Sequence, residues 1–154
     1  MARINDTVQF LKDSGISAPQ VGIILGTGLG KLVKEIDIET KIEYEDIPNF
    51  PVSTVEFHKG RLIYGTMDGK RVLAMQGRFH YYEGYTLQEI TFPVRVMNML
   101  GVENLLISNA GGALNLDYPK GTIMMITDHI NLLPGNPLIG PNDDSICLLY
   151  TSDA

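Results

Sequence analysis

Val21-Gly22-Ile23-Ile24-Leu25-Gly26-Thr27-Gly28-Leu29-Gly30 is a short continuous apolar run closed by alternating glycines. Such a run reads as a strand buried on both faces, the pattern of parallel sheets. Lys31 to Glu35 then begin a helix. Glycines let backbone N–H groups approach an anion closely, and a helix start favours negative charge, so the loop is a candidate phosphate cradle. It reads equally as a tight strand exit without a ligand. Neither common nucleotide motif fits: Lys31 stands where the dinucleotide fingerprint needs its third glycine, and the Gly-Lys-Ser/Thr of the Walker loop is absent.

The same unit recurs downstream. Leu105-Leu106-Ile107-Ser108 reads as a second buried strand, followed by Asn109-Ala110-Gly111-Gly112-Ala113. Two strands that each end in a small-residue loop imply a crevice at the carboxyl edge of a sheet, where open α/β folds bind ligands. Between them, Arg61–Met67 and Lys70–Met75 flank Asp68-Gly69, a strong hairpin signal. Ile38–Tyr44 reads as an exposed strand and Gly121–Ile126 as a further one, while Pro48 and Pro51 imply an extended loop around Asn49 and Phe50. Helix signals complete the set. Asn5 or Asp6 caps a helix with Ile4, Val8 and Leu11 on one face and Gly15 as its stop. Thr86-Leu87-Gln88-Glu89 is a capping box opening a second helix, with Ile90, Val94 and Met97 on one side, a kink or restart near Thr91 imposed by Pro93, and an end at Gly101. The predicted fold class is α/β, a mixed central β-sheet flanked by helices.

With 154 residues, 44% hydrophobic and 19% charged, the chain is ordinary for a globular domain with a real core. Its net charge of −6 argues against generic attraction to nucleic acid or acidic membranes, so any phosphate site is a local exception. Cys147 stands alone, which excludes an internal disulfide or a cysteine-based zinc site and suits a reducing compartment. No apolar run approaches a membrane span and the first residues lead into no signal-peptide core. A cytoplasmic protein is expected.

Chemistry concentrates in Met75-Gln76-Gly77-Arg78-Phe79-His80-Tyr81-Tyr82-Glu83-Gly84-Tyr85. In extended backbone Arg78, His80 and Tyr82 leave one face of the chain. The arginine fork suits phosphate or carboxylate, the histidine offers one bond more, and Glu83 can hydrogen-bond the imidazole and fix its tautomer. The cluster reads either as an anion site or as a surface salt-bridge group.

Gly77-Arg78-Phe79-His80-x-Tyr82-Glu83-Gly84-Tyr85, with Ile47-Pro48-Asn49-Phe50-Pro51 before it and Thr91-Phe92-Pro93-Val94-Arg95-Val96 after it, resembles the purine nucleoside phosphorylases of the homotrimeric type. The resemblance runs from the first helix to about Asp143. It implies phosphate-dependent cleavage of the N-glycosidic bond of purine (deoxy)ribonucleosides, giving free purine and (deoxy)ribose 1-phosphate, with inorganic phosphate as co-substrate and no metal or organic cofactor. It further implies a homotrimer whose partners are purine nucleoside and phosphate, with no nucleic acid or membrane. Residue by residue, it assigns His80 and Glu83 to catalysis. Thr27, His58, Arg78, Phe79, His80 and the Ala110 N–H are assigned to phosphate, and Tyr82 and Asn109 to the ribose side. Thr27 stands where serine is commoner, and Ala113 replaces a glycine of the family pattern. His129, in Asp128-His129-Ile130-Asn131, reads as structural.

The closest rival reading is a methylthioadenosine phosphorylase, against which Phe79 and Tyr82-Glu83-Gly84-Tyr85 speak. A dinucleotide-binding or other non-catalytic module is the rival of a different class. Residues 1–144 are expected to be the N-terminal part of a single phosphorylase domain, and 145–154 a tail that departs from the family pattern, as in a truncated reading frame. The purine-recognising residues of the family lie beyond this part, so the chain alone is expected to bind phosphate weakly and turn over little or nothing.

Overall fold

The computed structural model describes residues 1–26, 28–51, 60–128 and 130–139. Among them, helix α1 (Ala2–Asp13) is followed by strands β1 (Val21–Ile24), β2 (Asp37–Glu43), β3 (Arg61–Met67) and β4 (Lys70–Gln76), helix α2 (Leu87–Met99) and strand β5 (Asn104–Ile107). Short 3₁₀ turns occupy Gly30–Glu35, Tyr44–Asp46 and Tyr81–Glu83.

The described strands form one mixed sheet in the order β2-β3-β4-β1-β5. The hairpin β3–β4 turns through Asp68 and Gly69, both in the left-handed region (φ 48° and 74°), as a two-residue connection between right-twisted strands requires. β1 inserts beside this hairpin and runs parallel to both neighbours. Ile24 lies opposite Met75 of β4 and Ile107 of β5. The carboxyl ends of three strands therefore share one edge.

Period-2 alternation sorts the side chains of the hairpin to two faces. Leu62, Tyr64, Leu73 and Met75 join Ile4, Val8 and Leu11 of α1 and Val96 and Met97 of α2 in the larger core. Ile63, Val72 and Ala74 join Ile23, Leu25 and Ile36 on the opposite face. The apolar positions expected of both helices are thus the ones that pack inward. Thr86 opens α2 with the reciprocal cap read from the sequence: its hydroxyl accepts from the Glu89 N–H (3.2 Å), and the Glu89 carboxylate accepts from the Thr86 N–H (2.7 Å).

Five local expectations are corrected. α1 starts at Ala2 with Met1 as its cap, so Asn5 and Asp6 lie inside it; the Asp6 carboxylate accepts instead from the Asn49 amide at 2.9 Å. The loop at Pro48 is not extended at Asn49. Phe50 N–H donates to Ile47 O (3.2 Å) and Asn49 has φ 64°, the pattern of a type II turn, with proline and asparagine at the positions that turn favours. α2 does not restart near Thr91 but continues through Pro93, whose missing N–H costs one intrahelical bond and whose ring is fully buried. β5 is an edge strand rather than a buried one, with Leu106 and Ile107 58% and 63% exposed because no described segment covers them. Gly121–Ile126 forms no strand; its Ile123 is 98% exposed, since no described strand lies alongside to pair with it.

Leu73 is wholly buried at the centre of the larger core. Leu73→Ala is expected to destabilise the chain by about 2–5 kcal/mol, read from denaturant unfolding. The cap adds a pH dependence. Bonds from the Thr86 backbone, then from its hydroxyl, lower the Glu89 carboxyl below its ordinary 4.5. A lowered folded-state value means stability that is present above the unfolded value and lost as pH falls through the folded one. Unfolding followed through the acid range below 4.5 should accordingly show a steeper loss in the unmodified chain than in Glu89→Gln.

Candidate functional site

The segment leaving β4 is anchored from beneath before it presents any polar group. Tyr44, 2% exposed, donates its phenol hydrogen to Gly77 O at 2.7 Å. Burial first, and the Glu43 charge second, push that phenol far above its ordinary range, so it stays a donor at any ordinary pH. Phe79 is 5% exposed and packs its ring against Tyr44 and Tyr85 at centroid distances of 5.2 and 5.5 Å. With Gly77 and Phe79 held inward, Arg78 and His80 are left on the other side.

There they form a hydrogen-bonded row. The Arg78 Nη1–H donates to Ser108 O at 2.6 Å, and its Nε–H donates to His80 Nε2 at 3.0 Å. On the far side of the ring, His80 Nδ1 meets Glu83 Oε1 at 2.5 Å, and the same oxygen accepts from the His80 N–H at 3.0 Å. Since an arginine nitrogen can only donate, Nε2 is the acceptor, and the network assigns the proton of a neutral ring to Nδ1. Tyr82, a residue 83% exposed, stacks on the imidazole with centroids 4.8 Å apart and rings 19° from parallel. The row is an arginine oriented at both ends. Among the described residues two of its five N–H donors are engaged, which leaves a cationic fork to meet an anion.

The glycine loop and the β5 exit flank this row. Gly26 N–H donates to Ser108 Oγ at 2.8 Å, and Ser108 N–H donates to Ile24 O at 3.1 Å. Contact here is so close that a Cβ on Gly26 would stand 2.3 Å from Ser108 O. Asn109 and Ala110 follow directly and are exposed, and a hollow of about 730 Å³ opens beside them, lined in part by Asn109, Gly111, Gly112 and Tyr118.

Of the residues assigned from the sequence, Arg78, His80, Tyr82 and Glu83 are brought together, and Asn109 and Ala110 adjoin them through Ser108. Phe79 stands between Arg78 and His80 with its side chain in the aromatic core, so any contact with phosphate there falls to its backbone. Thr27, His58 and His129 lie outside the described residues. Tyr82 also leaves the expected period-2 face, because the chain turns into the 3₁₀ segment at Tyr81 and the ring reaches His80 by stacking. Ser108 was missed. Its signal was a lone hydroxyl closing an apolar strand immediately before a small-residue loop.

The family model of the phosphorylase superfamily matches residues 20–153, most of the chain. The chain belongs to the phosphorylase superfamily. Within the superfamily it is similar to purine nucleoside phosphorylases: 57% identical to purine nucleoside phosphorylase 1 of Geobacillus stearothermophilus over 143 residues, covering 93% of this chain and 52% of the relative. It is 49% identical to the Rattus norvegicus enzyme, covering 90% and 49%. Among solved structures, isoform 2 of purine nucleoside phosphorylase from Schistosoma mansoni, in complex with cytosine and ribose-1-phosphate, superposes with a TM-score of 0.86 at 44% identity, over 94% of this chain and 52% of that one. The chain spans about half the length of the curated relatives it matches.

The hydrogen-bond row makes a spectroscopic prediction. In Glu83→Gln the carboxylate that holds Nδ1–H is replaced by a neutral amide of equal size. Arg78 still holds Nε2 as the acceptor, so the tautomer is kept, but the His80 Nδ1–H resonance should move upfield and exchange with solvent faster because an amide oxygen accepts more weakly than a carboxylate; an unchanged Nδ1–H would show that Glu83 does not hold the ring.

Proposed function

We propose that this chain carries the phosphate-binding half of a purine nucleoside phosphorylase. The observation that carries the reading is the Glu83–His80–Arg78 row docked on Ser108 at the shared carboxyl edge of β4, β1 and β5. Similarity to phosphorylases over nearly the whole chain supports it.

In the reaction proposed, a phosphate oxygen forms a bond to C1′ of a purine nucleoside as the C1′–N bond to the base breaks. The products are free purine and ribose 1-phosphate. Positive charge develops on the sugar, so an anion fixed beneath it both attacks and stabilises the transition state. Arg78 supplies the charge that holds that anion, and His80 and Glu83 fix the arginine's orientation. Nε2, unprotonated in this tautomer, accepts a hydrogen bond from a protonated phosphate oxygen once the Arg78 bond to it is exchanged for the guest. The Ala110 N–H, Thr27 and His58 complete the phosphate shell, while Tyr82 and Asn109 border the ribose. Holding the anion in line can lower a barrier by about 7 kcal/mol or more in favourable cases. Phosphate is the co-substrate, and the scheme uses no metal or organic cofactor. A homotrimer in the cytoplasm is the setting we propose for the whole protein. Among the described residues no helix is long and apolar enough to cross a membrane.

The test is phosphate titration of the 154-residue chain followed by ³¹P NMR. Arg78→Ala should weaken binding about tenfold or more, the loss of a charge-assisted pair, and His80→Ala by a smaller factor. Equal phosphate affinity in the unmodified chain and Arg78→Ala would refute the assignment.

A further inference from the structure

Ser108 makes four contacts to three segments of the site. Its N–H and hydroxyl both donate to Ile24 O, at 3.1 and 3.2 Å, which fixes it against the end of β1. Its hydroxyl oxygen accepts from Gly26 N–H at 2.8 Å, which ties down the first residue of the glycine loop. Its carbonyl accepts from Arg78 Nη1–H at 2.6 Å. A residue bonded at its amide and its side chain has little freedom left in its backbone, so the direction of its carbonyl is set by the same bonds that hold the loop. Gly26 reinforces this sterically: with a hydrogen in place of Cβ it lets that carbonyl approach, and any side chain there would meet the oxygen that holds Arg78.

We propose that Ser108 is a positioning residue for Arg78, aiming the guanidinium through its carbonyl and coupling that aim to the glycine loop through its hydroxyl. The proposal rests on the reading of Arg78 as the anion-holding group. It gives a chemical reason for a hydroxyl directly after β5.

The decisive observable is the Arg78 Nε–H resonance of the ¹⁵N-labelled 154-residue chain, whose solvent exchange reports how firmly the guanidinium is held. In Ser108→Ala that hydrogen should exchange about fivefold faster, the equivalent of one lost neutral hydrogen bond, and phosphate affinity should fall by a similar factor. Ser108→Thr, which keeps the hydroxyl, should restore both. Gly26→Ala should loosen Arg78 in the same sense by displacing the carbonyl. Where alanine at 108 disturbs folding, Ser108→Cys keeps the volume with a weak acceptor and is expected to give the same loss. A purely structural tie between β1 and β5 would slow or speed backbone amide exchange at those strands and leave the Arg78 hydrogen unmoved, and that result would overturn the proposal. Phosphate binding that is absent in the unmodified chain, alongside a responsive Arg78 hydrogen, would instead sink the anion reading and leave the placement of Arg78 by Ser108 supported.

Discussion

Parallel pairing of β1 with a strand on each side is the constraint from which the rest of the site follows. A central parallel strand exchanges backbone bonds with both neighbours, and its register decides which chain exits face one another. Because Ile24 stands level with Met75 and Ile107, the next residues of three distant segments emerge together: Gly26, Gly77-Arg78 and Ser108. A slip of one residue in either pairing would turn Arg78 or Ser108 to the other face of the sheet. The chemistry of the site is thus a property of register before it is a property of any side chain.

The polar row is small, and its support is disproportionately apolar. Tyr44, Phe50, Phe79, Tyr85 and Phe92 form a connected run of ring contacts beneath the β4 exit. Aromatic rings offer large contact area with few rotatable bonds, so they hold a backbone segment at modest entropic cost. The cation above them can then be held by only a few hydrogen bonds. Division of labour of this kind, apolar groups fixing position and polar groups facing the guest, is how binding sites usually reconcile rigidity with chemistry.

How much of this was legible in the sequence depended on whether the cause was local. The hairpin at Asp68-Gly69, the Thr86 capping box and the inward faces of both helices rest on neighbours within a few residues, and each was readable. Arg78, His80 and Glu83 were readable as a group for the same reason. The Pro48-Asn49 turn is legible only when Pro48 and Asn49 are read as a pair, since Pro48 and Pro51 by themselves imply extended backbone. Ser108 was not legible, since its partners Ile24, Gly26 and Arg78 become neighbours only through the sheet. The exposure of β5 and of Gly121–Ile126 was hidden for a related reason: apolar patterning says that a strand wants cover, and only tertiary structure says whether cover is there.

The hairpin and the parallel strands also differ in what it costs to bring them together. β3 and β4 meet across a two-residue turn, where almost no chain entropy is lost in closing the loop. β1 reaches β4 and β5 only by closing loops that join residue 24 to residues 75 and 107. Loop-closure entropy is therefore small for the β3–β4 hairpin and large for the contacts that assemble the anion row. Within one fold, the cheapest structure to form is the hairpin, and the functional edge is where the entropy of the long loops is spent.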